Sequence, residues 1–484
     1  MTNWTEEQLA YFEEVRTGTG SISLSSVSGS GKTTTMAESS KDVPFSLAVA
    51  FNVKNKADLE KKMKSKTIKT MNGLGHGALM GFLGKKGVNL DTKKLGDIVS
   101  AICKKEDLKD EWMDILTIAR WMRTLGYVPD KSPGSYISLL TEDQIEHFIQ
   151  GLDLDVTPSK FVVECAKSAV RESIRQAFTG LIDFDDQIYI PTLWGAAFQK
   201  YPVVFGDEFQ DMNALNHKML LKSLEPGGRL FAVGDPFQSI YGFRGAMGES
   251  MEVMAQKLNS KRLELSYCFR CGTDIIKHAQ ELVPHIKSPP GMFQGSVHKH
   301  EGWSSSILRA GDAILCRNNG PMISLAYRLI RQGIGVFVLG RDLGKGLESL
   351  IKKLGAEDVT TLAIKAKAWC ETEVSKAKAN RNDAKVSSVY DKYDTLCIVM
   401  EDCQTLNDIS KKINLLFSRE SAPIVLSTIH KAKGLEFPRV FYLNHGLLYQ
   451  PWADWEQERN LDYVARTRAI NELNYIELDN LADK

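Results

Sequence analysis

Eight residues near the amino end, Ser26-Val-Ser-Gly-Ser-Gly-Lys-Thr33, have the types and spacing to cradle a phosphate chain. Glycines let backbone N–H groups close around phosphate oxygens, and a helix that starts immediately afterwards presents its positive end to them. Lys32 then reaches the terminal phosphates and Thr33 ligates Mg²⁺. The motif fits from its fourth position onward, because Ser26 stands where its first glycine is usual. Ser28, Gly29, Ser30, Gly31, Lys32, Thr33 and Thr34 are the candidate phosphate-binding residues. A second group, Asp207-Glu208-Phe-Gln-Asp211, follows the apolar run VVF. An Asp at the end of a buried strand can hold a Mg²⁺ shell, and the adjacent Glu can orient and deprotonate a water that attacks a γ-phosphate. In a chain that already carries a phosphate loop, this pair reads as a Walker B element.

Such residues need strand ends to stand on. SISLSSV at 21–27, SLAVAF at 46–51, PVVFGD at 202–207 and RLFAVGD at 229–235 are short apolar runs that end in polar residues. With helical stretches between them they predict a parallel α/β sheet. From 75 to 181 charged and long aliphatic residues recur at helical spacing and strand signals fade, which predicts a helical insertion within a first core spanning 1–74 and 182–262. AILC at 313–316, VFVL at 336–339, IVLST at 424–428, VFYL at 440–443 and NYIEL near the end predict a second α/β core, 263–345 with 406–484. The Lys-, Glu- and Ala-rich stretch 346–405 is its smaller helical insertion.

At 484 residues, 43% hydrophobic and 25% charged, the chain can form two to four compact units and is neither disordered nor fibrous. It lacks an apolar window of membrane-spanning length and begins without the basic-then-apolar pattern of a secretory signal, so a cytoplasmic protein without a membrane partner is expected. Of eight cysteines only Cys268 and Cys271 form a CxxC, which without a second pair or a nearby His reads as two ordinary thiols rather than a zinc or redox site. With 61 basic against 60 acidic side chains, any nucleic-acid contact must come from a local patch. Residues 54–69 supply one, with seven lysines against Asp58 and Glu60, although a lysine-rich helix face is commonly just solvated surface.

DEFQD at 207–211, GDPFQSIYGFRGA at 234–246, LSTIHKAKGLEF at 426–437 and YVARTRA at 463–469, in that order, resemble the UvrD/Rep/PcrA group of superfamily 1 DNA helicases. The resemblance implies two RecA-like cores, each with a helical insertion, with ATP and Mg²⁺ in the cleft between the cores and single-stranded DNA running across both. It makes Gln8 the adenine-reading glutamine and Gln238 a γ-phosphate sensor. Phe269 matches an aromatic stacked on adenine and Arg270 a γ-phosphate contact, in a segment that reads Cys-Phe-Arg-Cys where the family usually has Asn-Tyr-Arg-Ser. Gly434 and Glu436 fall in the KGLEF motif, the Glu as a ribose contact, and Arg468 matches the arginine finger of the second core.

On the DNA side, the resemblance gives Phe51 and the pair Tyr241 and Phe243 as base-stacking aromatics, with Arg244 beside them. Asn72 stands where the family usually has His. His430 matches the motif histidine, although it could equally be a structural residue at a strand end. The implied activity is ATP-dependent 3′-to-5′ translocation on single-stranded DNA and unwinding of duplex at junctions, with replication or repair partners unspecified. A protein-stripping translocase with weak unwinding is an alternative. A DNA-independent phosphate-loop kinase or nucleotide switch is the rival from another class, and a pure DNA-binding module would need neither Glu208 nor Arg468.

Overall fold

The computed structural model describes residues 4–480 apart from 44, 64–65, 85–86, 109–110, 151, 153–157, 241–248, 380–382, 418–422 and 451–453. The chain divides into two compact units, Met1–Ser266 and Tyr267–Lys484. Strands β1 (Ile22–Ser26), β2 (Ser46–Ala50) and β3 (Thr67–Thr70) precede the two-residue strands β4 (Asn89–Leu90) and β5 (Leu181–Ile182), and β6 (Tyr201–Gly206), β7 (Leu224–Gly234) and β8 (Lys261–Leu265) complete the first unit. Six of them form one sheet in the order β3-β2-β6-β7-β1-β8, with every pairing parallel. All five residues of β2 are buried, as both faces of a helix-covered parallel sheet must be.

Between β3 and β6 the chain is mostly helical, from the helix Met71–Leu83 to the helix Asp186–Leu193. Its longest member, Lys160–Thr179, starts where the Ser159 side chain accepts from Val162 N–H and stops at left-handed Gly180, the usual start and stop chemistry. The fading of strand signals is corrected at one point, since β4 and β5 pair in parallel. A two-residue pair has too little periodicity to be seen in a sequence. Under these helices Lys94 Nζ bonds Asp186 at 2.6 Å and the Ser173 carbonyl at 2.6 Å. Arg123 bonds Asp183 at 2.7 Å and Asp186 at 3.0 Å, and all four side chains are buried.

The second unit holds β9 (Ser296–Lys299), β10 (Ala313–Cys316), β11 (Val336–Val338), β12 (Ile424–Thr428), β13 (Phe437–Leu443) and β14 (Ala469–Ile476). Their order is β11-β12-β10-β13-β14-β9, again wholly parallel. Four helices between Arg341 and Phe417 separate β11 from β12. Both units are thus α/β with a parallel sheet. Among the described residues no helix is long and apolar enough to cross a membrane.

Candidate nucleotide and nucleic-acid site

In a parallel sheet all carboxyl ends lie along one edge, and ligands gather there. In the first unit β6, β7 and β1 are neighbours, so the residues after them meet. Glu208 and Lys32 are 3.4 Å apart, and Asp207 and Asp235 also act on the Lys32 ammonium. Gly31 enters the helix Lys32–Ser39 with φ +79°, a left-handed conformation that suits glycine. Ser26, in place of glycine, is buried and donates to the Gly234 carbonyl on β7 at 2.7 Å, so the departure from the motif ties the loop to the next strand.

Glu208 has φ +50°, an uncommon conformation for a residue with a Cβ, of the kind found at functional sites. Asp207 Oδ1 accepts from the Glu208 N–H at 3.0 Å, and Gln210 Nε2 donates to Glu208 Oε2 at 2.6 Å. The other end of the same amide accepts from Asp235 N–H at 2.9 Å. A Cβ at Gly234 would collide with Gln210 Oε1, so glycine there lets this bridge form. Gln238 Nε2 donates to Asp235 Oδ2 at 2.6 Å and is buried. The motifs alone gave no role to Asp235 or Gln210. The polar end of RLFAVGD is the signal for Asp235, and only the sheet order shows that β7 lies between β6 and β1.

Burial opposes the charge on Lys32, but the carboxylates of Glu208, Asp235 and Asp207 outweigh it and raise its pKa. Burial, with Glu208 beside it, pushes Asp207 up to about 7, and burial pushes Asp235 up to about 6. Three carboxylates around one ammonium leave surplus negative charge that a divalent cation offsets, and the buried Ser30 hydroxyl has no hydrogen-bond partner. These residues therefore fit a Mg²⁺-bound phosphate chain, for which Thr33 and Asp207 are the groups that would hold the ion.

The elevated Asp207 has a consequence for stability. Between pH 4 and 7 the native state keeps a proton that the unfolded chain has lost, so stability falls as pH rises through that window. Asp207→Asn should therefore raise stability of the protein without nucleotide by roughly 2–4 kcal/mol at pH 8 and by little at pH 4, while ATP hydrolysis is lost. Denaturant melts at the two pH values check this, and equal gains at both would refute it.

Gln8 is buried against the phosphate-loop helix. Its Nε2 donates to Thr35 Oγ1 at 2.9 Å, and its Oε1 accepts from Thr5 N–H at 3.0 Å in a capping box. Ser28 is fully buried and Thr34 Oγ1 accepts from Lys62 at 3.2 Å. Phe51 follows β2, half-buried, and Asn72 follows β3, donating to the Phe184 carbonyl at 2.7 Å. Since β3 and β2 continue the sheet beyond β6, these two flank the phosphate residues on one side. Tyr241, Phe243 and Arg244 lie outside the described residues.

In the second unit Arg270 Nε donates to Glu436 at 2.7 Å and its Nη1 to the Thr467 carbonyl at 3.2 Å. Phe269 is 44% exposed, and Gly434 has φ +78°. Arg468 is buried, donating to the carbonyls of Val464 at 3.1 Å and Leu435 at 2.9 Å. Arg270, Glu436 and Arg468 thus gather at the amino ends of β13 and β14. His430 follows the carboxyl end of β12, in the short helix Ile429–Ala432.

Residues 140–259 match the UvrD/REP helicase N-terminal domain and residues 352–479 the UvrD-like helicase C-terminal domain. F-box DNA helicase protein 1 of Schizosaccharomyces pombe is 24% identical over 93% of this chain and 55% of its own length. DNA helicase II of Haemophilus influenzae is 30% identical over 22% of this chain and 15% of its own. ATP-dependent DNA helicase Rep of Escherichia coli is 30% identical over 26% and 20%. The chain thus spans about half the length of the first of these relatives and a fifth or less of the other two. Matches to both family domains, in order and on the same two units that carry the phosphate residues and the paired arginines, place the chain in the UvrD/Rep family of superfamily 1 helicases.

Proposed function

We propose that the chain is an ATP-dependent DNA helicase that translocates 3′-to-5′ on single-stranded DNA and unwinds the duplex at junctions. The observation that carries the ATPase half is the meeting of Lys32, Asp207, Glu208 and Asp235 at three adjacent strand ends. Lys32 binds the terminal phosphates, Gln210 orients Glu208, and Glu208 accepts the proton of the attacking water. Bound Mg²⁺ supplies charge neutralisation on the phosphate oxygens. Arg270 and Arg468 supply positive charge to the transferring phosphoryl group, and Arg468 trades carbonyl contacts for that role. Phe269 offers an exposed face to the adenine, with Gln8 reading its edge and Glu436 the ribose.

The DNA half rests on Phe51 and Asn72 lying beside the phosphate residues, on the lysine-rich stretch 54–69, and on the sequence of the segment at Tyr241, Phe243 and Arg244, with His430 as a further contact. Polarity rests on that segment's family pattern alone. The test is ATPase rate with and without single-stranded DNA, beside unwinding of 3′- and 5′-tailed duplexes. We expect DNA stimulation and unwinding from the 3′ tail. A DNA-indifferent rate would sink the helicase reading, and a 5′ preference only the polarity. Phe51→Ala should weaken single-strand binding by about one to two orders of magnitude, as loss of one stacked base at ~1–3 kcal/mol requires. Its melting temperature and DNA-free ATPase should stay near the parent's, and a collapsed melt would instead make Phe51 a core residue.

A further inference from the structure

The turn Cys268-Phe-Arg-Cys271 carries two thiols that the phosphate chemistry does not use. Both are fully buried, and neither is in a disulfide. The Cys271 thiol, three residues on across the same turn, and the backbone N–H groups of Cys271 and Arg270 act electrostatically on the Cys268 sulfur. Cys271 Sγ also lies 3.8 Å from the Thr467 carbonyl, the oxygen that accepts Arg270 Nη1. Cys271 therefore shares an acceptor with Arg270, the residue held against Glu436.

These donors, the Cys271 thiol first, hold the Cys268 thiol down to about 6, whereas burial pushes the six cysteines outside the pair up. Thiolate character decides which cysteine an oxidant meets first. A thiolate within hydrogen-bond reach of a second thiol is also the arrangement from which a disulfide forms. Phe269, between the two, is exposed, so local opening of a surface turn suffices to admit a small oxidant.

We propose that Cys268 and Cys271 are a reversible redox pair whose oxidation by a peroxide draws the Phe269–Arg270 turn out of its nucleotide-binding geometry. The Cys268 thiolate attacks the peroxide oxygen, becoming a sulfenic acid as hydroxide leaves. The Cys271 thiol then attacks the Cys268 sulfur and gives up its proton as the S–S bond forms and the second hydroxide departs. With the two thiol protons the products are one disulfide and two waters, the sulfurs giving up the two electrons that the peroxide gains. The bond removes the thiol hydrogen near the Thr467 carbonyl and pulls together the two ends of the turn that carries Arg270.

This rests on the nucleotide role proposed for Phe269 and Arg270, so the test separates the two. The full chain is titrated with hydrogen peroxide, mapped by non-reducing peptide mass spectrometry, and assayed for ATP affinity and turnover before and after dithiothreitol. We expect a Cys268–Cys271 disulfide before modification of any other cysteine, with ATP binding weaker by about ten-fold, equivalent to ~1.4 kcal/mol, and full recovery on reduction. Cys271→Ser, the residue usual in the family, should form no disulfide and let dimedone trap Cys268 sulfenic acid. Other cysteines oxidising while this pair stays reduced overturns the proposal. A disulfide that leaves affinity and turnover unchanged overturns the switch, and the nucleotide reading falls with it only if Lys32→Ala also hydrolyses ATP normally.

Discussion

Glu208→Gln should bind ATP within a few-fold of the parent yet hydrolyse it roughly 10²–10⁴-fold more slowly, the range attributed to a general base. The Glu208 carboxylate accepts from Gln210 Nε2 at 2.6 Å and from Lys32 at 3.4 Å through the same oxygen, Oε2. A glutamine Oε1 can accept both, so the frame around the phosphates survives. Its amide nitrogen has no basic lone pair for the water's proton, so the chemical step alone is removed. Equilibrium binding of a fluorescent ATP analogue beside single-turnover hydrolysis measures the split. Hydrolysis at the parent's rate would mean that another group handles the water.

Lys32→Ala should abolish hydrolysis, since the ammonium that meets the terminal phosphates is gone, while DNA binding without nucleotide persists. It should also alter stability in a way that depends on pH. Glu208, Asp207 and Asp235 lose the cation they share, and breaking a buried pair costs roughly 3–5 kcal/mol when the remaining charge stays ionised. Asp207 and Asp235 titrate at about 7 and about 6, and without Lys32 their carboxyls rise further. The penalty is therefore large at pH 8 and shrinks toward pH 5 as protons replace the ammonium. Melting curves at the two pH values, beside steady-state ATPase, check both effects. Near-normal turnover would remove Lys32 from the phosphate site.

Central strands were legible because burial on both faces writes an uninterrupted apolar run, as in SLAVA and AILC. β3, β8 and β9 were not, since TIKT, KRLEL and SVHK form sheet edges, where exposed charge breaks the run and guards against further pairing. Lys32, Asp207 and Glu208 could be read because each belongs to a contiguous motif. Asp235 acts on Lys32 from 203 positions along the chain, a neighbourhood created by strand order and by no local pattern. Ser26 looked like a flaw in a motif until its hydroxyl was seen on the Gly234 carbonyl. The burial of Arg468 was equally invisible, because an arginine near a helix end looks the same whether its guanidinium meets solvent or carbonyls.

The buried group of Lys94, Arg123, Asp183 and Asp186 bears on how the first unit can be divided. Lys94 and Arg123 come from the inserted helices, while Asp183 and Asp186 sit where the chain turns back toward β6. Excising those helices would strand two carboxylates in an apolar interior, a greater penalty than the loss of the helices' own packing suggests. The inserted segment is therefore not an autonomous module that recombination can exchange freely. Any replacement must bring its own pair of cations to the same depth, and the first unit should unfold as one cooperative body.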